Sequence, residues 1–187
     1  NELLNEKQRI GLQYYDHLLK RIPRKEMDIH RKFIEGVWRS DIYASDLTDI
    51  RFEVVGSYRR GESTSGDIDI LVTFDEEKLR DNILSRLVYC LRRHKYVIET
   101  LAEGQKKFMG ICRLPRLSPR RIDIMWCSRR EYPFALLYFT GSERYNRHVR
   151  DHAKRVGYRL NERSLIPVTS ETMRWSLPEF EGERDII

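Results

Sequence analysis

The sequence predicts a core of the α/β or α+β class that carries a small C-terminal module. Several short segments between residues 50 and 127 alternate apolar with polar residues and are rich in β-branched side chains, which is the pattern of strands that bury one face. Longer segments around them repeat apolar residues every three or four positions, as amphipathic helices do. Strands mixed with long helices favour a layered core over a helical bundle.

Two helices are predicted before the first strand. Apolar residues at helical spacing, from Leu12 to Leu19, mark the first helix, which ends at Ile22–Pro23 because proline breaks a helix interior. Proline is tolerated in the first turn of a helix, so a second helix is expected to begin here. Its apolar residues run from Met27 to Trp38.

The central part of the chain predicts most of a sheet. The acidic run Asp75 to Glu77 suits the first turn of a helix that continues to Leu91. We expect the segment Arg121 to Cys127 to lie in the same sheet as the earlier strands. The five predicted strands are Ile50–Tyr58, Asp67–Phe74, Tyr96–Leu101, Lys107–Leu114 and Arg121–Cys127.

The C-terminal module is predicted to contain helices at about 131–139 and 142–156. Gly157 is the expected C-cap of the second helix, because glycine readily adopts the left-handed conformation found there. Tyr158 to Asn161 and Ser164 to Val168 are expected to form a small hairpin.

Composition excludes several classes of protein. The formal net charge is +6, with 34% charged and 40% hydrophobic residues, which excludes a disordered tail. Since no apolar run approaches the roughly 18 residues of a spanning helix, a membrane protein is not predicted. The charged N-terminal residues do not form a signal peptide, so a cytosolic or organellar interior is expected. The three cysteines are an odd number without a close pair and are expected to be reduced and buried.

Positive charge is concentrated in two segments. Residues 113–130 contain six arginines against one acid, and residues 142–163 contain seven basic residues against three acids. Residues 171–187 are acidic instead. Arginines interleaved with Tyr138, Phe139 and Tyr145 suit a phosphate backbone with base stacking. The charge alone favours the alternative, a solvated helix face.

The motif Gly-Ser followed by Asp-x-Asp contains the residues best suited to bind a metal ion and phosphate. On a strand, alternate side chains share a face, so Asp67 and Asp69 project together while Ile68 points into the core. Asp123 lies between two isoleucines on another predicted strand, and all three acids converge if the strands are neighbours. Crowded carboxylates beside a Gly/Ser turn suit Mg²⁺ and phosphate. Solvated aspartates at a strand end are the alternative, which the Gly56-Ser57 turn makes less favourable.

The run Gly56 to Asp69 resembles the signature of the family X DNA polymerases, and within that family it is most similar to the polymerase beta type. Further blocks occur in the same order as in that family. They are Arg9-Ile10-Gly11-Leu12, Arg21-Ile22-Pro23-Arg24, Lys107-Phe108-Met109-Gly110, Arg120-Arg121-Ile122-Asp123 and Tyr138-Phe139-Thr140-Gly141-Ser142.

The resemblance implies an α+β fold, with a nucleotidyltransferase palm whose mixed β-sheet is flanked by helices and a small α/β thumb-like C-terminal subdomain. Residues 1–10 would be a remnant of the DNA-binding fingers or linker, 11–135 the palm and 136–187 the nucleotide-selecting subdomain. The amino-terminal lyase domain and most of the fingers are expected to be absent.

The resemblance also implies roles for individual residues. Asp67 and Asp69 would bind two Mg²⁺ ions, which Mn²⁺ can replace, and Asp123 would bind the catalytic ion, oriented by Arg121. The residues implied in nucleotide binding are Arg21, Ser57, Arg60, Ser65, Gly66, Tyr138, Phe139, Thr140, Gly141, Glu143 and Asn146. Those implied in DNA binding are Arg121, Tyr138, Arg147 and Arg150.

One departure from the family concerns closure of the thumb. The family usually has an arginine two residues after the third aspartate, and this chain has Met125 there. The acidic position thought to pair with that arginine is retained as Glu162. A closing switch that uses this ion pair is therefore in doubt.

The implied function is DNA-directed DNA synthesis, in which dNMP is added to a primer 3′-hydroxyl during short gap filling in base-excision repair. The expected partners are gapped or primer-template DNA, dNTP and repair proteins, and the expected state is a monomer in the nucleus or the mitochondrion. A template-independent or RNA-tailing nucleotidyltransferase and an inactive DNA-binding scaffold are the alternatives.

Overall fold

The computed structural model describes residues 4–42, 51–74 and 83–169, together with Phe180 and Ile186. Its helices and strands alternate along the chain, as the sequence predicts. In chain order they are α1 (Glu6–Gln13), α2 (Tyr15–Leu18), β1 (Ile22–Pro23), α3 (Arg24–Val37) with a π-helical turn (Trp38–Ile42), β2 (Arg51–Val54), α4 (Gly56–Arg59), β3 (Thr64–Ser65), β4 (Ile68–Phe74), α5 (Ile83–Arg93), β5 (Val97–Glu103), β6 (Lys107–Cys112), β7 (Arg120–Ser128), α6 (Tyr132–Thr140), α7 (Glu143–Arg155), β8 (Tyr158–Leu160) and β9 (Leu165–Pro167).

The central sheet has five strands in the order β2-β4-β7-β6-β5. Strands β4 and β7 are parallel, and every other neighbouring pair is antiparallel. The sheet is therefore mixed, and with its flanking helices it confirms the α+β prediction.

Helices cover the two faces of the sheet unequally. Helices α3 and α5 bury one face through Ile34 and Leu87, which pack in one core cluster with Ile70 and Ile124. Helix α6 covers part of the other face, over β4 and β7, where Leu136 joins a smaller cluster. The rest of that second face carries the acidic residues described below.

The C-terminal module packs on the far side of α6. Phe134 and Leu137 of α6 form a cluster with Ala153 of α7 and Leu160 of β8. The hairpin predicted here is present as the antiparallel pair β8–β9. The C-cap of α7 is Val156, and Gly157 follows it with a φ of +85°, so the predicted glycine ends the helix from one residue beyond the cap.

Two predictions about secondary structure were wrong. The predicted strand Ile50–Tyr58 ends at Val54, because Gly56 has a φ of +62° and starts a helical turn there. The first predicted helix is two short helices that meet at Tyr14. The acidic run Asp75 to Glu77, predicted as a helix start, lies outside the described residues, and α5 is described from Ile83.

The remaining predictions on composition can be compared with the structure directly. Cys90, Cys112 and Cys127 are free and buried, as predicted. In the part of the chain that the structure describes, no helix has the length and apolar composition that crossing a membrane requires.

Candidate active site

Three aspartates meet at one end of the central sheet. Asp69 in β4 and Asp123 in β7 are direct partners in the parallel pairing of these strands. Asp67 immediately precedes β4. The intervening Ile68 and its partner Ile122 point into the core and are fully buried. The structure thus confirms that β7, which carries Asp123, is the neighbour of β4, which carries Asp69.

Burial and mutual repulsion disfavour negative charge on this cluster. The pKa of Asp69 is raised to about 7, first by burial and then by the nearby carboxylates of Asp67 and Asp123. Burial also raises the pKa of Asp67, which the guanidinium of Arg121 partly offsets. The cationic side chains nearby therefore do not fully offset the burial and mutual repulsion of these carboxylates.

Asp123 is nevertheless held by two cationic side chains. Arg121 donates from Nε to Oδ1 and from Nη2 to Oδ2, both at 3.1 Å. Lys107 Nζ lies 3.1 Å from Oδ2 of the same carboxylate, of which only 5% is exposed. Arg121 also lies 3.9 Å from Asp67, so it connects two of the three acids.

The donor set of this cluster fits a divalent cation. Carboxylate oxygens are the ligands preferred by hard cations such as Mg²⁺. Burial, followed by the neighbouring carboxylates, raises the pKa of Asp69, and a bound cation would offset both effects. Among the described residues, no three acidic, histidine or cysteine side chains are arranged closely enough to hold a metal as they stand. Arg121 and Lys107 already contact both oxygens of Asp123, so a cation at this carboxylate would compete with them.

The Gly56-Ser57 turn lies against this acidic cluster. A Cβ atom on Gly56 would overlap Oδ2 of Asp69, and the positive φ of Gly56 is disfavoured for any other residue. The Val55 backbone N–H donates to the Asp69 carbonyl at 2.9 Å, which fixes the turn to β4. Glycine at position 56 therefore brings the start of α4 directly onto the carboxylate.

Two arginines at the end of α4 reach the end of α6. Arg60 donates from Nη1 to the carbonyl oxygen of Thr140 at 2.6 Å. Arg59 donates from Nη1 to the hydroxyl of the same threonine at 3.0 Å. Gly141 follows with a φ of +67°, and a Cβ there would contact Arg60 at 3.4 Å. This corner joins the Gly56-Ser57 turn to residues 138–141, which the resemblance implies in nucleotide binding.

Arg21 is fixed beside the same loop by the short β1–β3 pair. Its Nε donates to the hydroxyl of Thr64 at 3.1 Å, and its Nη2 donates to the carbonyl of Thr64 at 2.8 Å. The backbone pairing places Ile22 opposite Ser65. The guanidinium therefore extends over Gly66, where an added Cβ would lie 3.5 Å from Nη1.

An open cleft of about 820 Å³ lies between the Gly56-Ser57 turn and helices α6 and α7, and of the predicted catalytic residues Asp67 and Asp69 line it while Asp123 and Arg121 do not. Arg147 and Arg150, predicted to bind DNA, line it beside Asp67 and Asp69. Ser65 does not, because it is buried in the β1–β3 pair with 1% of its surface exposed. The other predicted nucleotide-binding residues all line the cleft: Arg21, Ser57, Arg60, Gly66, Tyr138, Phe139, Thr140, Gly141, Glu143 and Asn146.

The wall formed by α6 and α7 is held by local hydrogen bonds. Ser142 caps α7 by accepting from the backbone N–H of Tyr145 at 3.4 Å. Asn146 donates from Nδ2 to the carbonyl of Tyr138 at 2.7 Å, which links the two helices. The rings of Tyr138 and Phe139 meet edge to face at 5.1 Å. The wall therefore presents aromatic edges and polar groups to the cleft.

Met125 and Glu162 take separate places in the structure. Met125 is buried with Leu71, Tyr132 and Leu136 in the apolar cluster under α6. Glu162 lies 3.8 Å from Arg163, an adjacent residue in the β8–β9 hairpin. Because methionine carries no charge, α6 rests on apolar packing at the position where the family usually has an arginine.

Sequence reasoning missed several residues of the site. Lys107 belongs to the block Lys107-Phe108-Met109-Gly110, but its contact with Asp123 cannot be predicted because it depends on the register between β6 and β7. Thr64, the acceptor for Arg21, has no local pattern that distinguishes it. Ser142 and Asp151 also line the cleft. The Ser-x-x pattern before α7 could have indicated Ser142 as a cap.

Comparison with known proteins identifies two matching family profiles. Residues 21–129 match the family described as DNA polymerase beta palm. Residues 135–187 match the family described as DNA polymerase beta thumb. The boundary between the two profiles falls near the start of α6, where the lining of the cleft changes from residues of the sheet and its loops to residues of α6 and α7.

Individual relatives agree with these profiles. The chain is 37% identical over 169 residues to DNA polymerase lambda of Rattus norvegicus, covering 87% of this chain and 29% of that protein. It is 32% identical over 177 residues to DNA polymerase lambda of Arabidopsis thaliana, covering 89% of this chain and 32% of that protein. The chain thus spans about a third of the length of these curated relatives.

Proposed function

The chain belongs to the family X DNA polymerases through its palm and thumb, and from this premise we propose that it adds dNMP to a primer 3′-hydroxyl under the direction of a template strand. The observation that carries the proposal is the register of Asp69 with Asp123 beside an open cleft lined by the predicted triphosphate ligands. Converging carboxylates next to phosphate donors are what nucleotidyl transfer requires.

The acidic cluster activates the nucleophile. An Oδ atom of Asp123 accepts the proton of the primer 3′-hydroxyl, and Arg121 orients that carboxylate through its paired hydrogen bonds. The 3′ oxygen then forms a bond to the α-phosphorus, the bond to the bridging oxygen breaks, and pyrophosphate leaves. Asp67, Asp69 and Asp123 would hold two Mg²⁺ ions, or Mn²⁺ in their place, and the bound ions would neutralise the negative charge that develops during the transfer.

The triphosphate is bound by the two loops at the mouth of the cleft. Arg21 and Arg60 supply positive charge, while Ser57 and the backbone at Gly66 supply hydrogen-bond donors. Arg60 exchanges the Thr140 carbonyl, at 2.6 Å in this structure, for a phosphate oxygen. Ser65 supports the β1–β3 pair from its buried position.

The α6–α7 wall selects the nucleotide and guides the DNA. The backbone from Tyr138 to Gly141 crowds the sugar 2′ position and favours deoxyribose. Asn146 and Glu143 contact the nascent base pair. The template strand is bound by Arg147 and Arg150, and the primer by Arg121 with Tyr138.

We extend the proposal to the biological setting. The protein fills short gaps in base-excision repair as a monomer, with repair proteins as further partners, and it works inside the cell in the nucleus or the mitochondrion. Within family X, the order of its sequence blocks supports a polymerase beta-like palm, although both named relatives are lambda enzymes. In this proposal residues 11–135 form the palm and residues 136–187 the nucleotide-selecting subdomain, and residues 1–10 belong to the DNA-binding fingers or the linker.

Extension of a primer across a one-nucleotide gap tests the proposal. Each dNTP is supplied separately with Mg²⁺, on gapped duplex and on the same primer without a template. Insertion of only the complementary nucleotide supports templated synthesis. Equal extension without a template supports a tailing nucleotidyltransferase instead, and DNA binding without any extension supports a scaffold.

A further inference from the structure

Glu53 lies at the edge of the central sheet, on β2, and contacts the beginning of α6. Its Oε2 accepts a hydrogen bond from the hydroxyl of Tyr132, the first residue of α6, at 2.7 Å. Tyr132 is buried in the apolar cluster beneath that helix, so its hydroxyl needs a partner. Glu53 supplies the partner and fixes the start of α6 to β2.

The other oxygen of the same carboxylate contacts α4. Oε1 of Glu53 lies 3.5 Å from Nε of Arg59. Arg59 in turn donates from Nη1 to the hydroxyl of Thr140, the last residue of α6, at 3.0 Å. One carboxylate is therefore connected to both ends of α6, directly at Tyr132 and through Arg59 at Thr140.

These hydrogen bonds restrict the rotation of α6 and its height above the sheet, which apolar packing alone does not fix. Leu136 and Ala135 hold α6 against Leu71 and Met125 by contacts without directionality. Hydrogen bonds at the two ends of a helix about 12 Å apart, by contrast, fix its rotation and its height above the sheet. The sugar-binding segment from Tyr138 to Gly141 lies at the end of this helix and at the following turn.

We propose that Glu53 is a positioning residue that sets the place of residues 138–141 relative to the incoming nucleotide. The inference rests on the proposed function. Arg60 has to leave the Thr140 carbonyl to bind a phosphate, whereas Arg59 does not, so the Glu53–Arg59 pair keeps Thr140 in place during nucleotide binding. Glu53 thereby determines how strictly the 2′-hydroxyl of a ribonucleotide is rejected.

Steady-state gap filling with dNTP and with rNTP tests the proposal. Glu53→Ala is expected to raise the KM for dNTP and to lower discrimination against rNTP about tenfold, as for one lost charge-assisted hydrogen bond. Its kcat is expected to stay within about twofold, because Glu53 does not reach the reacting atoms. Tyr132→Phe removes only the hydrogen bond from Tyr132 to Glu53 and should lose part of the discrimination against rNTP. Glu53→Gln should retain more of that discrimination than Glu53→Ala.

Glu103→Ala is the matched control, since Glu103 ends the opposite edge strand β5 and pairs with Arg92 at 2.6 Å. If the wild type is active and Glu53→Ala discriminates between dNTP and rNTP as well as Glu103→Ala does, the inference is wrong. All variants are first compared by thermal unfolding, so that only folded proteins enter the kinetic comparison.

A double-mutant cycle separates this inference from the proposed function. Glu53→Ala and Thr140→Val are combined, and the unfolding free energies of the four proteins are compared without any nucleotide. Non-additive effects are expected because Arg59 connects the two residues. Additive effects contradict the relay whatever the activity, whereas a wild type that inserts no nucleotide contradicts the proposed function alone.

Discussion

Lys107 and Asp123 form an ion pair across the β6–β7 pairing, with Nζ 3.1 Å from Oδ2. Together with Arg121, this lysine neutralises a carboxylate that the proposed mechanism assigns to a metal ion. The protein therefore carries its own competing cations at the third aspartate. A metal ion that displaces Lys107 from Asp123 would therefore change how the charge of this cluster is balanced.

Lys107→Met is accordingly expected to tighten divalent-cation binding about two- to fivefold, the range of one partly exposed ion pair. Mn²⁺ binding followed by electron paramagnetic resonance, without nucleotide or DNA, measures this directly. Lys106→Met is the control, because Lys106 pairs with Glu131 instead, at 3.1 Å. Unchanged or weaker Mn²⁺ binding in the Lys107 variant would count against competition at Asp123.

Gly56→Ala is expected to impair both stability and activity. The added Cβ overlaps Oδ2 of Asp69, and alanine at a positive φ is strained, which together cost about 2–3 kcal/mol of unfolding free energy. Gly61→Ala offers a matched comparison, since Gly61 has a φ of +83° and nothing within 4 Å of an added Cβ. Chemical denaturation should give the Gly61 variant a smaller loss, and equal losses would mean that contact with Asp69 is unimportant.

The buried ion pair of Glu26 and Arg120 supports the Arg21 loop. Arg120 donates to both oxygens of Glu26, at 2.7 and 3.0 Å, and to the carbonyl of Lys20 at 2.9 Å. Arg120→Met leaves these acceptors unpaired and is expected to cost about 3–5 kcal/mol. Arg92→Met, at the more exposed pair with Glu103, should cost about 1 kcal/mol or less by the same denaturation assay.

The buried side chain of His30 is expected to make the folded protein less stable in acid. It is fully buried against the hydroxyl of Tyr96, and burial lowers its pKa from 6.5 to about 4. The unfolded chain therefore takes up a proton before the folded protein does, so the contribution of His30 is complete above pH 6.5 and is lost as the pH falls towards 4.

Unfolding of wild type and His30→Gln at pH 7 and pH 4 measures that contribution. The stability of the wild type relative to the variant should fall by on the order of 3 kcal/mol over this interval. The comparison is needed because the raised pKa of Asp69 acts in the opposite direction. A pH-independent difference between the two proteins would contradict a neutral buried His30.

The central sheet and its acidic residues could be predicted from the sequence because both depend on local alternation. Asp67 and Asp69 share a face for the same reason that Ile68 is buried, and only the neighbouring position of β7 had to be assumed. The end of β2 could not be predicted in this way, since β-branched residues continue through Val55 while the chain turns at Gly56.

Contacts that depend on strand register or helix position could not be predicted. Lys107 meets Asp123 only in the observed β6–β7 pairing, and Glu53 meets Tyr132 across 79 residues of sequence. Ser65 was predicted to bind nucleotide from the family motif, and the β1–β3 pair that buries it is only two residues long. Short strands of this kind leave almost no pattern in the sequence.

Single-turnover filling of a one-nucleotide gap by wild type, Asp123→Asn and Asp16→Asn tests the central claim most directly. Asp16 is an exposed residue of α2, remote in sequence from all three acids, and provides the control for loss of one carboxylate. We expect wild type and Asp16→Asn to insert the complementary nucleotide alike, and Asp123→Asn to be slower by at least about 1,000-fold, because several kcal/mol of transition-state stabilisation are lost. Insertion by a folded Asp123→Asn protein at the wild-type rate would contradict catalysis by the three aspartates.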